Sequence, residues 1–162
     1  MSTLQIVGKE FYLKHIFGDG FTFFIPRYQR PYAWSTEETE ELLDDLWTAH
    51  VSDESPVHNK DPYFLGSIVL IKEEHQPTSE VIDGQQRLTT LTILMSVLRH
   101  LQPNNSDAIS DYLRQKGKIF EGMKDEYRLG GVSSVVGSNL SHPRPSWPPS
   151  PRKRRCFYDA LV

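Results

Sequence analysis

The stretch VIDGQQRLTTL at residues 81–91 changes character at its centre, and that change decides the fold. Its first residues are β-branched and apolar, which is typical of a buried strand. From Gly84 onward, apolar residues recur at helical spacing as far as Leu101, and Pro103 then ends the pattern. We therefore predict that a strand turns directly into a helix at Asp83 and Gly84.

The neighbouring segments predict a small sheet with packed helices. Strands are expected at three places, residues 21–25, 63–71 and 80–82. Ser35 with Glu38 three residues later forms a capping box, which predicts the start of another helix. Its apolar side chains should be buried: Leu42, Leu43, Leu46 and Trp47. A weaker helix is expected at 107–115. This order of elements predicts an α+β fold with a small mixed sheet.

Composition and charge divide the chain in two. Residues 1–129 hold 13 Lys and Arg against 20 Asp and Glu, a balance of −7. Residues 130–162 are rich in Gly, Ser and Pro and carry a balance of +4, ending in a basic run at 152–155. We predict a folded domain at 1–129 and a disordered basic tail at 130–162. Because the domain is acidic, general electrostatic attraction to DNA is not expected of it.

Several protein classes are disfavoured by the sequence. No apolar run reaches the roughly 18 residues that a membrane helix needs, so no membrane partner is expected. Met1 is followed by neither a basic start nor an apolar signal core. The single cysteine, Cys156, cannot form an internal disulfide, which favours a cytoplasmic location. The six histidines show no metal-binding spacing.

The strand–helix junction, residues 83–87, has residues suited to phosphate chemistry. The first amides of a helix point outward with partial positive charge, and such an end binds phosphate well. Gly84 would let a ligand approach the backbone, and Arg87 could fork onto phosphate oxygens. Asp83 could hold a divalent metal such as Mg²⁺ or orient a water, with Gln85 beside it. Thr89 and Thr90 add hydroxyls.

The same residues also fit a purely structural interpretation. Asp83 would cap the helix, Gln86 would complete a capping box, and Arg87 would pair with Asp83. A cap needs one amide side chain, however, whereas the sequence supplies Gln85 and Gln86 in succession. The second glutamine favours a functional role for the junction.

A second candidate segment, the aromatic loop of residues 25–34, has the sequence IPRYQRPYAW. Two prolines stiffen it, and it presents arginine and aromatic surfaces suited to a base or sugar. We predict that Tyr28, Gln29 and Arg30 face the same cleft as Gly84 and contribute to ligand binding. Trp34 fits a structural role, since it directly precedes the expected helix start.

Three motifs together resemble the N-terminal domain of GmrSD restriction endonucleases. They are YQRPYxW at 28–34, YFLGSI at 63–68 and VIDGQQRLTTL at 81–91, in the order and spacing of that family. The resemblance covers about residues 5–129. It implies a ParB/sulfiredoxin-like core, NTP hydrolysis centred on the DGQQR motif and bacterial defence against foreign or modified DNA. The residues so implicated are catalytic Asp83, Gln85, Gln86 and Arg87, with nucleotide contacts from Gly84, Thr89, Tyr28, Gln29 and Arg30.

The sequence after residue 129 departs from that family. Its members usually continue into a helical region and a His-Asn-His nuclease domain, and neither pattern is present here. We expect a shifted or prematurely ended reading frame, with a genuine disordered tail as the alternative. A non-catalytic module that senses modified DNA or nucleotide, and a non-functional fragment, also stay open. Sulfiredoxin-like thiol chemistry is disfavoured because Cys156 lies in the tail.

Overall fold

The computed structural model of the chain is a mixed α and β structure, which confirms the predicted α+β class. It describes residues 6–51, 61–73, 75–117 and 125–130, and the backbone of 155–161. In this part of the chain, no helix is long and apolar enough to cross a membrane.

The elements follow one another as short strands and helices. The strands are β1 Ile6–Phe11, β2 Thr22–Phe24, β3 Gly66–Lys72, β4 Thr78–Asp83, β5 Arg114–Gln115, β6 Glu126–Tyr127, β7 Leu129–Gly130 and β8 Arg155–Leu161. The helices are α1 Leu13–Ile16, α2 Thr36–Val51, α3 Gln85–Leu101 and α4 Ser106–Leu113, with a 3₁₀ turn at Pro103–Asn105 before α4. The predicted strands and helices therefore all form, with shifted ends. The strand expected at 63–71 starts at Gly66, and the last two residues of the helix expected at 107–115 form β5.

The strands form a six-stranded sheet in the order β1-β8-β3-β4-β2-β7, while β5 pairs with β6 separately. Strands β3 and β4 are antiparallel, and β2 pairs in parallel with β4. Strand β8 belongs to the segment for which composition favoured disorder; its backbone pairs with both β1 and β3. Its sequence, RCFYDAL, contains aromatic and apolar residue types that favour strands. The rest of the tail, 131–154 and residue 162, lies outside the described residues, and the domain boundary at 129 stays a prediction.

The core lies between the sheet and the helices. Ile68, Leu70 and Val81 of the sheet are fully buried with Leu88 of α3. Helix α2 contributes less than predicted. Leu42 is buried and Leu46 packs partly against the core, but Leu43 is 38% exposed and Trp47 is 65% exposed. The prediction that all four are buried was therefore wrong, because periodicity identifies an apolar stripe but not how much of its width a neighbour covers.

Arg128 is a buried structural residue that the sequence analysis missed. Its side chain is 4% exposed. The guanidinium donates to the carbonyls of Gly18 at 2.7 Å and Asp111 at 3.1 Å, and it pairs with the Asp19 carboxylate at 2.7 Å. These bonds hold the turn before β2 against the end of α4. A motif search could not find them, because the partners lie 17 to 110 residues away in sequence.

The predicted capping box at the start of α2 is present. The Glu38 carboxylate accepts hydrogen bonds from the Ser35 amide, at 2.7 Å, and from the Ser35 hydroxyl. The Ser35 hydroxyl in turn accepts a hydrogen bond from the Glu37 amide at 3.2 Å. The hydrogen bond from the Ser35 hydroxyl, followed by that from its amide, holds the pKa of Glu38 below its usual value.

This depressed pKa predicts a pH-dependent contribution to stability. A carboxylate whose pKa is lower in the folded state stabilises the fold above its unfolded pKa, and it loses that effect as the pH falls through the folded pKa. We expect Glu38→Gln to lower the Tm slightly at neutral pH. The difference in Tm between the variant and the wild type should disappear in acid. Glu37→Gln, with the same charge change, is the matched control. A difference in Tm between Glu38→Gln and the wild type that persists unchanged below the folded pKa of Glu38 would contradict this stabilising role of the Glu38 carboxylate.

Candidate functional site

Gly84 lies at the centre of the strand–helix junction, and the packing of the fold explains why a glycine is needed there. Gly84 has φ +86°, in the left-handed region, and precedes the first residue of α3. A Cβ at this position would lie 2.5 Å from Cγ2 of Ile68, which is fully buried. Gly84 is therefore needed for close packing of β4 and α3 on β3. The expectation that it leaves room for a ligand stays a prediction.

Helix α3 begins without a side-chain cap. Among the residues that the structure describes, no side chain caps its N-terminal end, and Asp83 is exposed at the end of β4. The interpretation of Asp83 as a helix cap is therefore wrong, because Gly84 occupies the cap position. The amides of the first turn carry the positive end of the helix dipole, and no acidic residue lies in that turn.

Arg87, in the first turn of α3, lies across the backbone of Gly66. A Cβ on Gly66 would be 2.5 Å from Nη1 of Arg87 and 2.7 Å from its Cζ, and Gly66 has φ +110°. The left-handed backbone favours glycine at this position, and a side chain here would displace the guanidinium of Arg87. No local pattern in the sequence marked Gly66. Within the described residues, no carboxylate forms an ion pair with Arg87, so the Arg87–Asp83 pair of the structural interpretation does not form. Its Nε is buried without a hydrogen-bond partner there.

Gln85 and Gln86 turn their side chains toward the aromatic loop. Nε2 of Gln85 donates to the carbonyl of Arg30 at 2.9 Å. Gln86 donates from Nε2 to the Pro31 carbonyl at 3.2 Å and accepts from the Ala33 amide at 2.8 Å. The capping-box role for Gln86 is therefore wrong, since its carboxamide is used by the loop. Their catalytic roles stay predictions.

Further hydrogen bonds fix the aromatic loop to the junction. Nε2 of Gln29 donates to the Ile82 carbonyl at 3.0 Å. The register of β3 and β4 shifts at this point, pairing Val69 with Asp83 and Leu70 with Val81, so Ile82 has no counterpart in β3. Gln29 thus bonds a carbonyl at an irregularity in the sheet. The loop and the junction lie side by side.

Some side chains of the aromatic loop are exposed, whereas others fix the loop to neighbouring elements. Tyr28 is 72% exposed, although its hydroxyl donates to Glu80 at 2.9 Å. Arg30 is also exposed, while Tyr32 shares a hydrogen bond of 2.9 Å with the hydroxyl of Thr90. Trp34 packs partly against the core. The loop therefore presents an aromatic ring and a guanidinium next to the junction.

The hydroxyls of α3 and the carboxylates of the site are less suited to binding than the sequence suggested. Thr89 is 5% exposed and Thr90 is 4% exposed, and the Thr90 hydroxyl donates to the Gln86 carbonyl at 2.9 Å. Thr89 therefore offers little surface to a phosphate. Within the described ranges, no group of three His, Cys, Asp or Glu residues could hold a metal ion. Asp83 is a single carboxylate, so a divalent ion here would need oxygen ligands from a substrate.

Comparison with known proteins identifies the family. No curated protein matches the chain. Residues 13–134 match the family described as GmrSD restriction endonuclease, N-terminal domain. The matched region includes the aromatic loop, Gly66, the junction and Arg128, and it extends past the boundary at 129 that composition indicated. This match covers most of the 162 residues, and the chain therefore belongs to the GmrSD restriction endonuclease N-terminal domain family.

Proposed function

We propose that this restriction-system domain binds a nucleoside triphosphate at the strand–helix junction and hydrolyses it. The observation that carries the proposal is Arg87, a guanidinium that no carboxylate neutralises within the described part of the chain and whose Nε is buried without a partner. A cation in this state favours an anionic ligand, because burying an unpaired polar group is costly. The planar guanidinium of Arg87 is suited to fork onto phosphate oxygens.

The start of α3 supports the same ligand. Its first turn has no side-chain cap, so the amides of Gln85 and Gln86 are suited to cradle phosphate oxygens together with Arg87. Phosphoryl transfer depends more on placement and charge compensation than on covalent chemistry by the protein. The uncapped start of α3 and the adjacent guanidinium of Arg87 are suited to provide both the placement and the compensating charge.

Asp83 is the residue we assign to positioning Mg²⁺ or the attacking water. Its carboxylate is exposed at the end of β4 and is used in no hydrogen bond or ion pair within the described residues. Mg²⁺ in such sites is typically held by one or two protein carboxylates together with substrate phosphates, and one exposed aspartate fits that pattern. The ion would arrive with the nucleotide and would neutralise charge on its phosphates.

The aromatic loop is assigned to the base or sugar of the nucleotide. The exposed ring of Tyr28 and the exposed guanidinium of Arg30 offer flat surfaces beside the junction. Gln29, whose side chain bonds the Ile82 carbonyl, fixes the loop to the end of β4. We further propose that nucleotide turnover in this domain serves restriction of foreign or modified DNA in the bacterial cytoplasm, with cleavage performed by a separate nuclease domain or subunit.

Asp83→Asn separates hydrolysis from binding. The substitution keeps the shape of the side chain and removes only its charge, so the chain should bind each nucleotide within about threefold of the wild type. Hydrolysis should fall by about 100-fold or more, because the metal or water loses its anchor. Phosphate release from ATP, GTP, CTP and UTP with Mg²⁺, beside equilibrium binding of each, measures both effects.

Asp44→Asn, an exposed carboxylate on α2, is the charge-matched control and should leave binding and hydrolysis unchanged. Full hydrolysis by the Asp83→Asn variant would remove Asp83 from the mechanism. Binding by the wild type without phosphate release from any of the four nucleotides would instead favour the non-catalytic sensing module.

A further inference from the structure

We propose that Gln85 and Gln86 are positioning residues that hold the aromatic loop in register with the phosphate-binding junction, and that this register sets a preference for nucleotide over bare polyphosphate. The proposal rests on the proposed function, because it takes the junction as the phosphate site. It assigns the two glutamines to the loop backbone, where their side chains bond, instead of to the reacting phosphate.

The side-chain carboxamide of Gln86 forms hydrogen bonds with the loop backbone as another peptide group would. A carboxamide has one donor arm and one acceptor arm, like the N–H and C=O of a backbone peptide. The Ala33 amide can only donate, so it fixes Oε1 at 2.8 Å, and the Pro31 carbonyl can only accept, so it fixes Nε2 at 3.2 Å. The side chain is 6% exposed, which makes both bonds costly to leave unmade.

Gln85 holds the preceding part of the loop. Its Nε2 donates to the Arg30 carbonyl at 2.9 Å, and the side chain is 8% exposed. Successive helical residues point in different directions, so two adjacent glutamines reach two places on the loop. Glutamate could not replace either without loss, since an ionised carboxylate cannot donate to a carbonyl. This accounts for the paired glutamines that a helix cap did not require.

Gln85 and Gln86 together form a clamp on the backbone of the aromatic loop, and this clamp separates two kinds of contact to one ligand. The phosphates would meet Arg87 and the first amides of α3, none of which depends on the loop. The base and sugar would meet Tyr28 and Arg30, whose placement depends on the backbone that Gln85 and Gln86 hold. Releasing the clamp should therefore weaken binding of the nucleoside part more than binding of the phosphates.

The test compares inorganic tripolyphosphate with ATP and GTP on the full chain. Gln85→Met and Gln86→Met keep side-chain length and remove the hydrogen bonds, while Gln76→Met, an exposed residue before β4, is the control. We expect each clamp variant to lose about tenfold more affinity for the preferred nucleotide than for tripolyphosphate. Gln86→Glu keeps the acceptor for the Ala33 amide but turns a buried carboxylate oxygen toward the Pro31 carbonyl, so it should lose at least as much as Gln86→Met. An equal loss for both probes, or no loss for either, would overturn the proposal.

Tryptic cleavage after the exposed Arg27 reports the loop position independently of any ligand. Arg30 precedes a proline and resists trypsin, so one bond dominates within the loop. The clamp variants should be cut about fivefold faster or more, because native-state cleavage follows local opening. Unchanged cleavage would overturn the clamp. If Gln86→Met does not fold, Gln85→Met decides. If the wild type binds neither probe, the proposed function and the nucleotide preference have failed, and the cleavage rates decide the clamp alone.

Discussion

Arg87→Ala should abolish nucleotide turnover and weaken triphosphate binding by about 10- to 100-fold, the value of one or two charge-assisted hydrogen bonds. The fold should tolerate the change, because no described carboxylate pairs with Arg87 and none would therefore lose its partner. Binding and turnover should fall together, since the guanidinium is assigned to charge neutralisation in both states. Equilibrium binding of ATP and GTP, with phosphate release, measures the effect.

Two variants make this prediction specific. Arg87→Lys keeps the charge but not the fork, and it should recover only part of the affinity. Arg99→Ala removes an arginine from the last turn of the same helix and should leave binding unchanged. Equal losses from Arg87→Ala and Arg99→Ala would indicate a general electrostatic effect, and an Arg87→Ala variant with full affinity would remove Arg87 from the site.

Gly84→Ala should destabilise the domain by roughly 2–5 kcal/mol, which combines left-handed backbone strain with overpacking. The new Cβ would lie 2.5 Å from Cγ2 of Ile68 and 3.1 Å from its Cα, and a fully buried Ile68 has little room to move. Denaturant unfolding of the full chain measures the loss. This prediction holds whether or not a ligand binds, because the requirement comes from packing.

Ile68→Ala provides the internal check. Alone it should be destabilising, since it leaves a cavity in the core. Combined with Gly84→Ala it should cost less than the sum of the two single changes, by about 1–2 kcal/mol, because the clash is relieved. Strict additivity, or a Gly84→Ala cost below about 0.5 kcal/mol, would show that the close approach of Gly84 to Ile68 is not what the position requires.

The site could be predicted from sequence where its signals are local. The change from β-branched residues to helical spacing at Asp83 marked the end of β4 and the start of α3 within a residue or two. Ser35 and Glu38 marked the start of α2, because a capping box is a contact over three residues. The two prolines of the aromatic loop indicated a fixed loop, although not what fixes it.

The contacts that define the site are not local. Gln85 and Gln86 bond residues 53 to 55 positions away, and Arg87 packs on Gly66 from another strand. No periodicity or spacing rule connects such pairs, so their succession and the family resemblance indicated a functional role for the glutamines but not their bonds to the loop. Strand β1 was missed for a related reason, since its pairing partner is β8, 150 residues later. Trp47 was wrongly predicted to be buried, because an apolar stripe on a helix does not show how much of it another element covers.

The most direct test of the account is where a phosphate chain binds. We propose titrating the ¹⁵N-labelled full chain with inorganic tripolyphosphate and following its amide resonances. The account predicts the largest shifts at the amides of Gly84, Gln85, Gln86 and Arg87, with a smaller shift at Gly66 beneath the guanidinium. Largest shifts elsewhere, or none at saturating ligand, would contradict the claim that the strand–helix junction is the phosphate site.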